Sequence, residues 1–409
     1  MRALVSARLG ADFTKLWTAS AVSNIGDGVT MAAGPLLIAS RTTDPALIGG
    51  AVFVQQLPWL LFTLISGAYV DRLDRRKLVV AVNILRAVPL AALAIAVATD
   101  TATVAVVYTV LFVLGAGETL ADSAYGAFLP AIVAPDRLAA ANARLMATFT
   151  IANQFVAKPL GAWLFVVAAA APFGVDALTF AVAAALVATI RPIPAPPPAP
   201  RRGLRAEIAE GVRWLWEHRL LRTLAVSMGL ANVAFCAAFA TLVLYARQRL
   251  GLSDVGYGFL LTTFAVGGLL GTVLAPSLQR TFGSGVLLRA GLVVEVVTHT
   301  TLAITTTPLV AAAILIVFGI HTVVWGVIVV TLRQRVVPQN LLGRVGSVYA
   351  LLDVGGAALG SLLGGMLAHV WGLTTPFWIA AAVMTLIATA AWRPLRQAAA
   401  ASLLASDAT

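Results

Sequence analysis

Apolar segments long enough to cross a membrane follow one another along almost the whole of this chain. There are twelve such stretches of about 20 residues, a length that spans a hydrocarbon core of about 30 Å as a helix. Hydrophobic residues account for 60% of the 409 residues and charged residues for only 11%, so a soluble core could not bury the apolar surface. Because backbone groups in lipid must bond to one another, we predict an all-α membrane protein with twelve transmembrane helices.

The basic residues predict the orientation of these helices. With the N-terminus in the cytoplasm, most of the 28 Lys and Arg residues fall in or beside inside loops, as the positive-inside rule requires. We therefore expect a multi-pass protein with both termini cytoplasmic. The net charge of +11 does not indicate nucleic acid as a partner, because no basic run is interleaved with aromatic residues on a soluble segment. Arginine far outnumbers lysine, which is typical of a GC-rich bacterium, so we expect the bacterial inner membrane.

A proline-rich and charged interruption divides the stretches into six and six. We predict an N-terminal half at residues 1–190, a linker at residues 191–222, a C-terminal half at residues 223–395 and a cytoplasmic tail at residues 396–409. The second part of the linker has apolar residues at helical spacing among many charges. This pattern predicts an amphipathic helix on the cytoplasmic membrane face.

The two halves also resemble each other in sequence. The segment from Pro135 to Leu164 aligns with the segment from Pro338 to Leu367, at the same separation at both ends. A repeat with both copies in one orientation indicates a two-fold axis along the membrane normal, and transporters of this design bind substrate where the repeats meet. We therefore predict a parallel repeat of six-helix halves that works by alternating access.

The loop after span two carries a glycine, an acid and several bases in a familiar order. These candidate gating residues are Gly67, Asp71, Arg72, Arg75 and Arg76. The loop resembles the signature of the major facilitator superfamily, in which glycine allows close helix approach and the acid can pair with arginine or a helix N-terminus. Asp74 stands where that signature usually has glycine.

Further runs resemble the transmembrane secretion effector branch of this superfamily, which includes enterobactin-exporter-like and macrolide-efflux-like proteins. They lie at residues 23–28, 118–123, 141–145, 332–338 and 343–349. The resemblance covers about the whole chain. It implies the major facilitator fold and a secondary-active exporter of amphipathic small molecules, such as drugs or secondary metabolites, driven by proton antiport. A siderophore exporter is the alternative within this class.

Ionisable groups inside the spans are the best candidates for function, because each costs about 2.5–3.5 kcal/mol to insert. Asp27 lies near the middle of span one, one turn after Asn24. The resemblance places span one beside the central cavity, where Asp27 would accept a proton or balance a cationic substrate; the alternative is a structural hydrogen bond. Lys158 occupies a position on span five where the family usually has proline. Asp27 and Glu295 are candidate partners of Lys158 by depth, and we predict Asp27, because spans one and five belong to the same six-helix half. The rival is binding of an anionic substrate.

Other polar residues in the spans suggest a network at the cytoplasmic side. Glu118 and Asp122 are four residues apart, on one face of span four, and Arg86 lies at a similar depth on span three. We expect them to form ion pairs, Arg86 with Glu118 among them, that serve gating or structure, with proton coupling as the alternative. On span ten, His321 and Trp325 are one turn apart and could line the substrate route or join helices.

Other classes of function are disfavoured by what the sequence contains. No Walker-type loop is present, so we do not expect ATP to be the energy source. A membrane-embedded transferase, with Asp71 and Asp74 holding a metal–diphosphate, is a distant alternative because basic residues surround both acids. We expect a monomer in the lipid bilayer, with protons and a small-molecule substrate as partners. We expect no cofactor, no metal and no catalytic residue.

Overall fold

The computed structural model describes residues 9–70, 74–134, 137–191, 204–338 and 341–406. Within these ranges the chain is helical and contains no strand. Six helices precede the linker: α1 Ala11–Arg41, α2 Pro45–Val70, α3 Arg75–Ala98, α4 Val104–Ile132, α5 in three consecutive parts (Leu138–Thr148, the π-helical Phe149–Ala157 and Lys158–Val167) and α6 Ala171–Ala188. The linker contains α7 Leu204–Glu217. Six long helices come after α7: α8 Arg219–Phe239, α9 Asp254–Phe282, α10 Ser284–Ile304, α11 Pro308–Val336, α12 Leu342–Trp371 and α13 Thr375–Ser406, with the short helical segments Leu242–Leu244 and Tyr245–Arg249 between α8 and α9.

Ten helices among the described residues are long and apolar enough to cross a membrane. The two further spans expected from the sequence correspond to α1 and α5. Polar residues, Asp27 among them, lower the hydropathy of α1, and the π-helical stretch divides α5 into shorter parts. The all-helical prediction is confirmed, and the ten spans together with these two helices are consistent with twelve.

The helix boundaries follow local chemistry. Asp74 caps α3, because its carboxylate accepts hydrogen bonds from the backbone N–H groups of Arg76 and Lys77 at 3.0 and 3.2 Å. The residue that departs from the family signature thus has a local role. Gly372, just past the end of α12, has a φ of 96°, a conformation that favours glycine.

The described residues form two compact units. Unit 1 comprises Met1–Thr43, Val54–Ala199 and Ser253–Thr262, and unit 2 comprises Asp44–Phe53, Pro200–Leu252 and Thr263–Thr409. In unit 1, α1 packs on α5 and α6, and α3 packs on α4 and α6. In unit 2, α8 packs on α12 and α13, and α10 packs on α11 and α13. Each of these contacts in unit 1 therefore has an equivalent in unit 2 between the helices numbered seven higher, as a repeat requires.

Glycines bring the backbones of α8 and α12 together. A β-carbon at Gly360 would overlap the carbonyl of Val233, and one at Gly364 would overlap the carbonyl of Ala237. In unit 1, a β-carbon at Gly161 on α5 would overlap the carbonyl of Val29 on α1. Gly161 is the residue that aligns with Gly364, so both units use small residues at the equivalent helix contact.

The linker helix predicted from the sequence is present as α7, and its contacts are with unit 2. The helix packs on α12 and α8. Glu210 forms an ion pair with Arg344, and Gly211 lies against the backbone of Arg344. Leu215 is fully buried. The proline-rich part of the linker lies outside the described residues.

Candidate functional site

A polar cavity of about 620 Å³ lies within unit 1 and is here called the unit 1 cavity. Its walls come from α1, α2, α3, α4, α5 and α6. The charged and amide side chains that line it are Asn24, Asp27, Gln55, Arg86, Glu118, Asn142, Asn153, Gln154 and Asp176. The predicted candidates Asn24, Asp27, Arg86 and Glu118 are therefore brought together in one place.

The main ion pair of the unit 1 cavity joins Asp27 on α1 to Arg86 on α3. The Arg86 Nη2 donates to Asp27 Oδ1 at 2.5 Å. The Arg86 side chain is 8% exposed and that of Asp27 is 26% exposed, so the carboxylate is the more accessible partner. On its other side, the guanidinium lies 4.1 Å from the ring centroid of Phe180 on α6. Arg86 is thus held by a charge and by an aromatic face.

Asp176 on α6 adds a second carboxylate to this pair. It is 1% exposed, lines the same cavity and interacts electrostatically with both Asp27 and Arg86. Thr179 donates a hydrogen bond to its Oδ1 at 3.2 Å. Two carboxylates thus share the neighbourhood of one guanidinium. If both acids are ionised, the three groups carry one net negative charge, which a single proton neutralises.

A chain of hydrogen bonds runs along the π-helical part of α5. Lys158 Nζ donates to Gln154 Oε1 at 2.5 Å, and Gln154 Nε2 donates to Asn153 Oδ1 at 3.0 Å. Asn153 Nδ2 then donates to the backbone oxygen of Asn24 at 3.1 Å. Because Asn24 lies one turn before Asp27, the chain connects Lys158 to the part of α1 that carries the acid. π-Helical turns are frequent at functional sites.

The predicted pair of Lys158 with Asp27 is wrong. Asp27 is bound by Arg86, and the buried Lys158 donates to the neutral amide of Gln154. Both side chains of the latter pair project from α5 one turn apart, so a local partner replaces a distant one. Glu118 lines the same cavity as Arg86, and a direct pairing of these two residues stays a prediction.

A second cavity, of about 240 Å³, lies within unit 2 and is here called the unit 2 cavity. The predicted pair His321 and Trp325 lines it, with ring centroids 5.7 Å apart. His321 Nε2 also lies 3.2 Å from Oε1 of Glu295 on α10. His321 therefore both lines a cavity and joins two helices, which were the two interpretations of this residue.

Most of the predicted gating loop cannot be compared with the structure. Asp71 and Arg72 lie outside the described residues, as do the surroundings of Gly67 and the side chains of Arg75 and Asp122. Arg76 is described, and its Nη1 donates to the backbone oxygen of Ile190 at 2.9 Å. This contact fixes the start of α3 to the end of α6. A gating role for these residues stays a prediction.

Sequence reasoning missed two buried acids. It did not predict a cavity position for Asp176 or Glu295. The structure places each acid on a cavity wall. The available signal was the one used for Asp27, namely a single carboxylate inside an otherwise apolar segment.

Comparison with known proteins agrees with this architecture. Residues 8–408 match a family model described as transmembrane secretion effector. The chain is 28% identical to the multidrug efflux pump Tap of Mycolicibacterium fortuitum, over 88% of this chain and 90% of that protein. It is 22% identical to the enterobactin exporter EntS of Shigella boydii serotype 4 (strain Sb227), over 87% of this chain and 85% of that protein.

Solved structures share the fold at low sequence identity. A mutant of the nucleoside transporter NupG superimposes with a TM-score of 0.78 at 13% identity, covering 94% of this chain and 99% of that chain. A bacterial homologue of the iron transporter ferroportin, in its inward-facing state, gives a TM-score of 0.73 at 17% identity, with 92% and 97% covered. These similarities establish the fold alone.

Proposed function

Because the chain belongs to the transmembrane secretion effector family of major facilitator transporters, we propose that it exports amphipathic small molecules by proton antiport. Export is the activity named for both relatives, one a multidrug efflux pump and the other an enterobactin exporter. Proton antiport extends this activity, because it names the proton gradient as the energy source and specific residues as the site of coupling. We further propose that the protein resides in the bacterial inner membrane with both termini cytoplasmic, and that its two halves alternate access.

The observation that carries this proposal is the cluster of Asp27, Arg86 and Asp176 in the unit 1 cavity. Carboxylates inside a membrane segment are costly and are typical of proton relays. Arg86 alone can balance one acid and not both, so the second acid is available to take up a proton. Partial exposure of Asp27 gives solvent or substrate a route to the pair.

A proton and a substrate can then exclude each other electrostatically. With both acids ionised, the net negative charge of the cluster favours a positively charged or hydrogen-bond-donating group in the cavity. A proton on either acid removes that net charge and weakens the binding of such a group in the cavity. Exchange of the two across the membrane converts the proton gradient into export. For a neutral substrate, the charge of the proton moving through 100 mV contributes about 2.3 kcal/mol. For a monovalent cation exchanged one for one, the two charges cancel, and the pH gradient alone drives export, at about 1.4 kcal/mol for each tenfold difference in proton concentration.

The proposal is tested in everted membrane vesicles with a panel of cationic, neutral and anionic fluorescent compounds. We expect wild-type vesicles to accumulate at least one compound and to lose it when an uncoupler collapses the proton gradient. Asp27→Asn and Asp176→Asn should abolish accumulation but retain exchange of labelled for unlabelled compound at equilibrium. Asp100→Asn is the control, because that side chain is 82% exposed and lines neither cavity.

Two results would count against the proposal. Accumulation that survives the uncoupler would exclude the proton gradient as the energy source. Accumulation at the wild-type level in both Asn variants would exclude the cluster as the coupling site.

A further inference from the structure

The unit 2 cavity differs in chemistry from the unit 1 cavity. Aromatic rings from three helices form its wall: Phe235 from α8, Phe264 from α9, and Phe318 and Trp325 from α11. Phe318 is 1% exposed and stands at the centre, with ring centroids 5.5 Å from Phe235 and 5.8 Å from Phe264. Because each ring is braced by another, the wall presents a rigid π surface.

Two carboxylates line the same cavity. Glu295 on α10 is 7% exposed, and its oxygens lie 3.2 Å from His321 Nε2 and 3.5 Å from His299 Nε2. Asp353 on α12 is exposed and accepts a hydrogen bond from Asn232 Nδ2 at 3.0 Å. His321 can donate to Glu295 while uncharged, so it orients the carboxylate without cancelling its charge.

No lysine or arginine is found among the described residues that line the unit 2 cavity. Two arginines on the same helices make other contacts. Arg289 Nε donates to the backbone oxygen of Gly285 at 3.1 Å, and its guanidinium lies 5.4 Å from the ring centroid of Trp392. The guanidinium of Arg333 lies 5.1 Å from the ring of Tyr349. The cavity thus combines negative charge with aromatic faces.

From this combination we infer that the unit 2 cavity binds the flat aromatic cation of a transported molecule. The inference rests on the proposed export function and names the chemical class of its cargo. An organic cation is attracted by the faces of Phe and Trp as well as by carboxylates, whereas a neutral ring gains only the apolar contact. At about 240 Å³ the cavity accommodates a small fused ring system, leaving the rest of an amphipathic molecule outside it.

The two cavities would then have different roles in transport. The unit 1 cavity has three acids, an arginine and several amides, but Phe149 is the one aromatic residue among its described lining residues. That composition suits proton exchange and hydrogen bonding. The unit 2 cavity selects for ring structure and positive charge.

A matched pair of ligands tests the inference by isothermal titration of the full-length protein in detergent at pH 8. The cation is N-methylquinolinium, and the comparison ligand is 4-methylquinoline, a ring of similar size that is uncharged at this pH. We expect the cation to bind at least about tenfold more tightly than the neutral ring. The double variant Glu295→Gln, Asp353→Asn should abolish this preference while it keeps the shape of both side chains.

A second variant removes the π surface and retains the charges. Phe235→Leu keeps an apolar side chain of similar size, so we expect about a tenfold loss for the cation and little change for the neutral ring. Asp100→Asn should bind both ligands as the wild type does. Thermal unfolding of each variant within a few degrees of the wild type ensures that binding is compared between folded proteins.

Equal affinities for the two ligands in the wild type would overturn the inference. So would a preference for the cation that persists in both the double variant and Phe235→Leu. These measurements use no proton gradient, so their failure would leave proton-driven export of another cargo intact. Conversely, uncoupled transport in the vesicle assay would overturn the proposed function even if the cation binds as expected.

Discussion

The guanidinium of Arg86 donates a hydrogen bond of 2.5 Å to Asp27, and the same group is in range of a second acid, Asp176. Removal of the arginine would leave two carboxylates facing each other in a largely buried site. The pair is therefore more than a contact between α1 and α3, because it also sets the charge of the unit 1 cavity.

Arg86→Gln should destabilise the protein strongly. Breaking a buried ion pair from one side costs about 3–5 kcal/mol, because the remaining charge is uncompensated. The double variant Arg86→Gln, Asp27→Asn should recover part of this loss, since it removes both charges. Thermal unfolding in detergent, followed by tryptophan fluorescence, gives the order of stability. Equal stability of Arg86→Gln and the wild type would contradict the assignment.

Lys158→Met should make the protein more stable and less active. The ammonium of Lys158 is buried, and its hydrogen-bond acceptor is the neutral amide of Gln154, so an apolar side chain of similar length should gain about 1–3 kcal/mol. The same change removes the first donor of the hydrogen-bond chain that leads to Asn24 and should slow substrate exchange in vesicles. Lys77→Met, at an exposed position, is the matched control. If Lys158→Met exchanges substrate at the wild-type rate, the hydrogen-bond chain has no role in transport.

Alanine substitutions at two glycines of α12 should change the stability of the protein in opposite directions. Gly364→Ala places a methyl group against the backbone of Ala237 and should lower stability by about 2 kcal/mol. Gly346→Ala meets no atom within 4 Å and should raise stability by up to about 1 kcal/mol through helix propensity. The melting temperatures of the two variants check the sign. A stabilised Gly364→Ala would refute the close packing of α8 and α12.

The cap of α3 is testable at Asp74. Asp74→Ala removes the acceptor for two backbone N–H groups and should cost about 0.5–2 kcal/mol. Asp74→Ser retains a capping oxygen and should be close to the wild type. Comparison of their melting temperatures separates capping from a loss of charge, because serine restores the hydrogen bond alone.

The fold could be predicted from the sequence because bilayer thickness and backbone hydrogen bonding leave few choices. The helix lengths, the repeat and the resemblance of the runs around Asp27 and Glu118 all indicated the same architecture. Local details were less accessible. The π-helical turns at Phe149–Ala157 have no sequence signal of the kind that proline or glycine gives to a loop.

Only some residues of the candidate site were predicted from the sequence. Asp27 and Arg86 were among them, whereas Asp176 and the pairing of the charged groups were not. Depth along a span can be read from the sequence, and it placed Asp27 and Arg86 inside the spans, where the structure joins them in an ion pair. Which helices are neighbours, and which way each side chain points, depends on packing. Depth and a shared six-helix half therefore predicted Asp27 as the partner of Lys158, whereas the local amide of Gln154 is its partner.

The two faces of α8 have separate tasks. The backbone at Gly229, Val233 and Ala237 meets the glycines of α12, while Asn232 and Phe235 line the unit 2 cavity. Asn232 also donates a hydrogen bond to the backbone oxygen of Asp353 on α12, so substitutions at Phe235 are the ones that leave the glycine contacts in place. Laboratory or natural selection can therefore alter what the cavity accepts, residue by residue, without dismantling the helix pair that supports it.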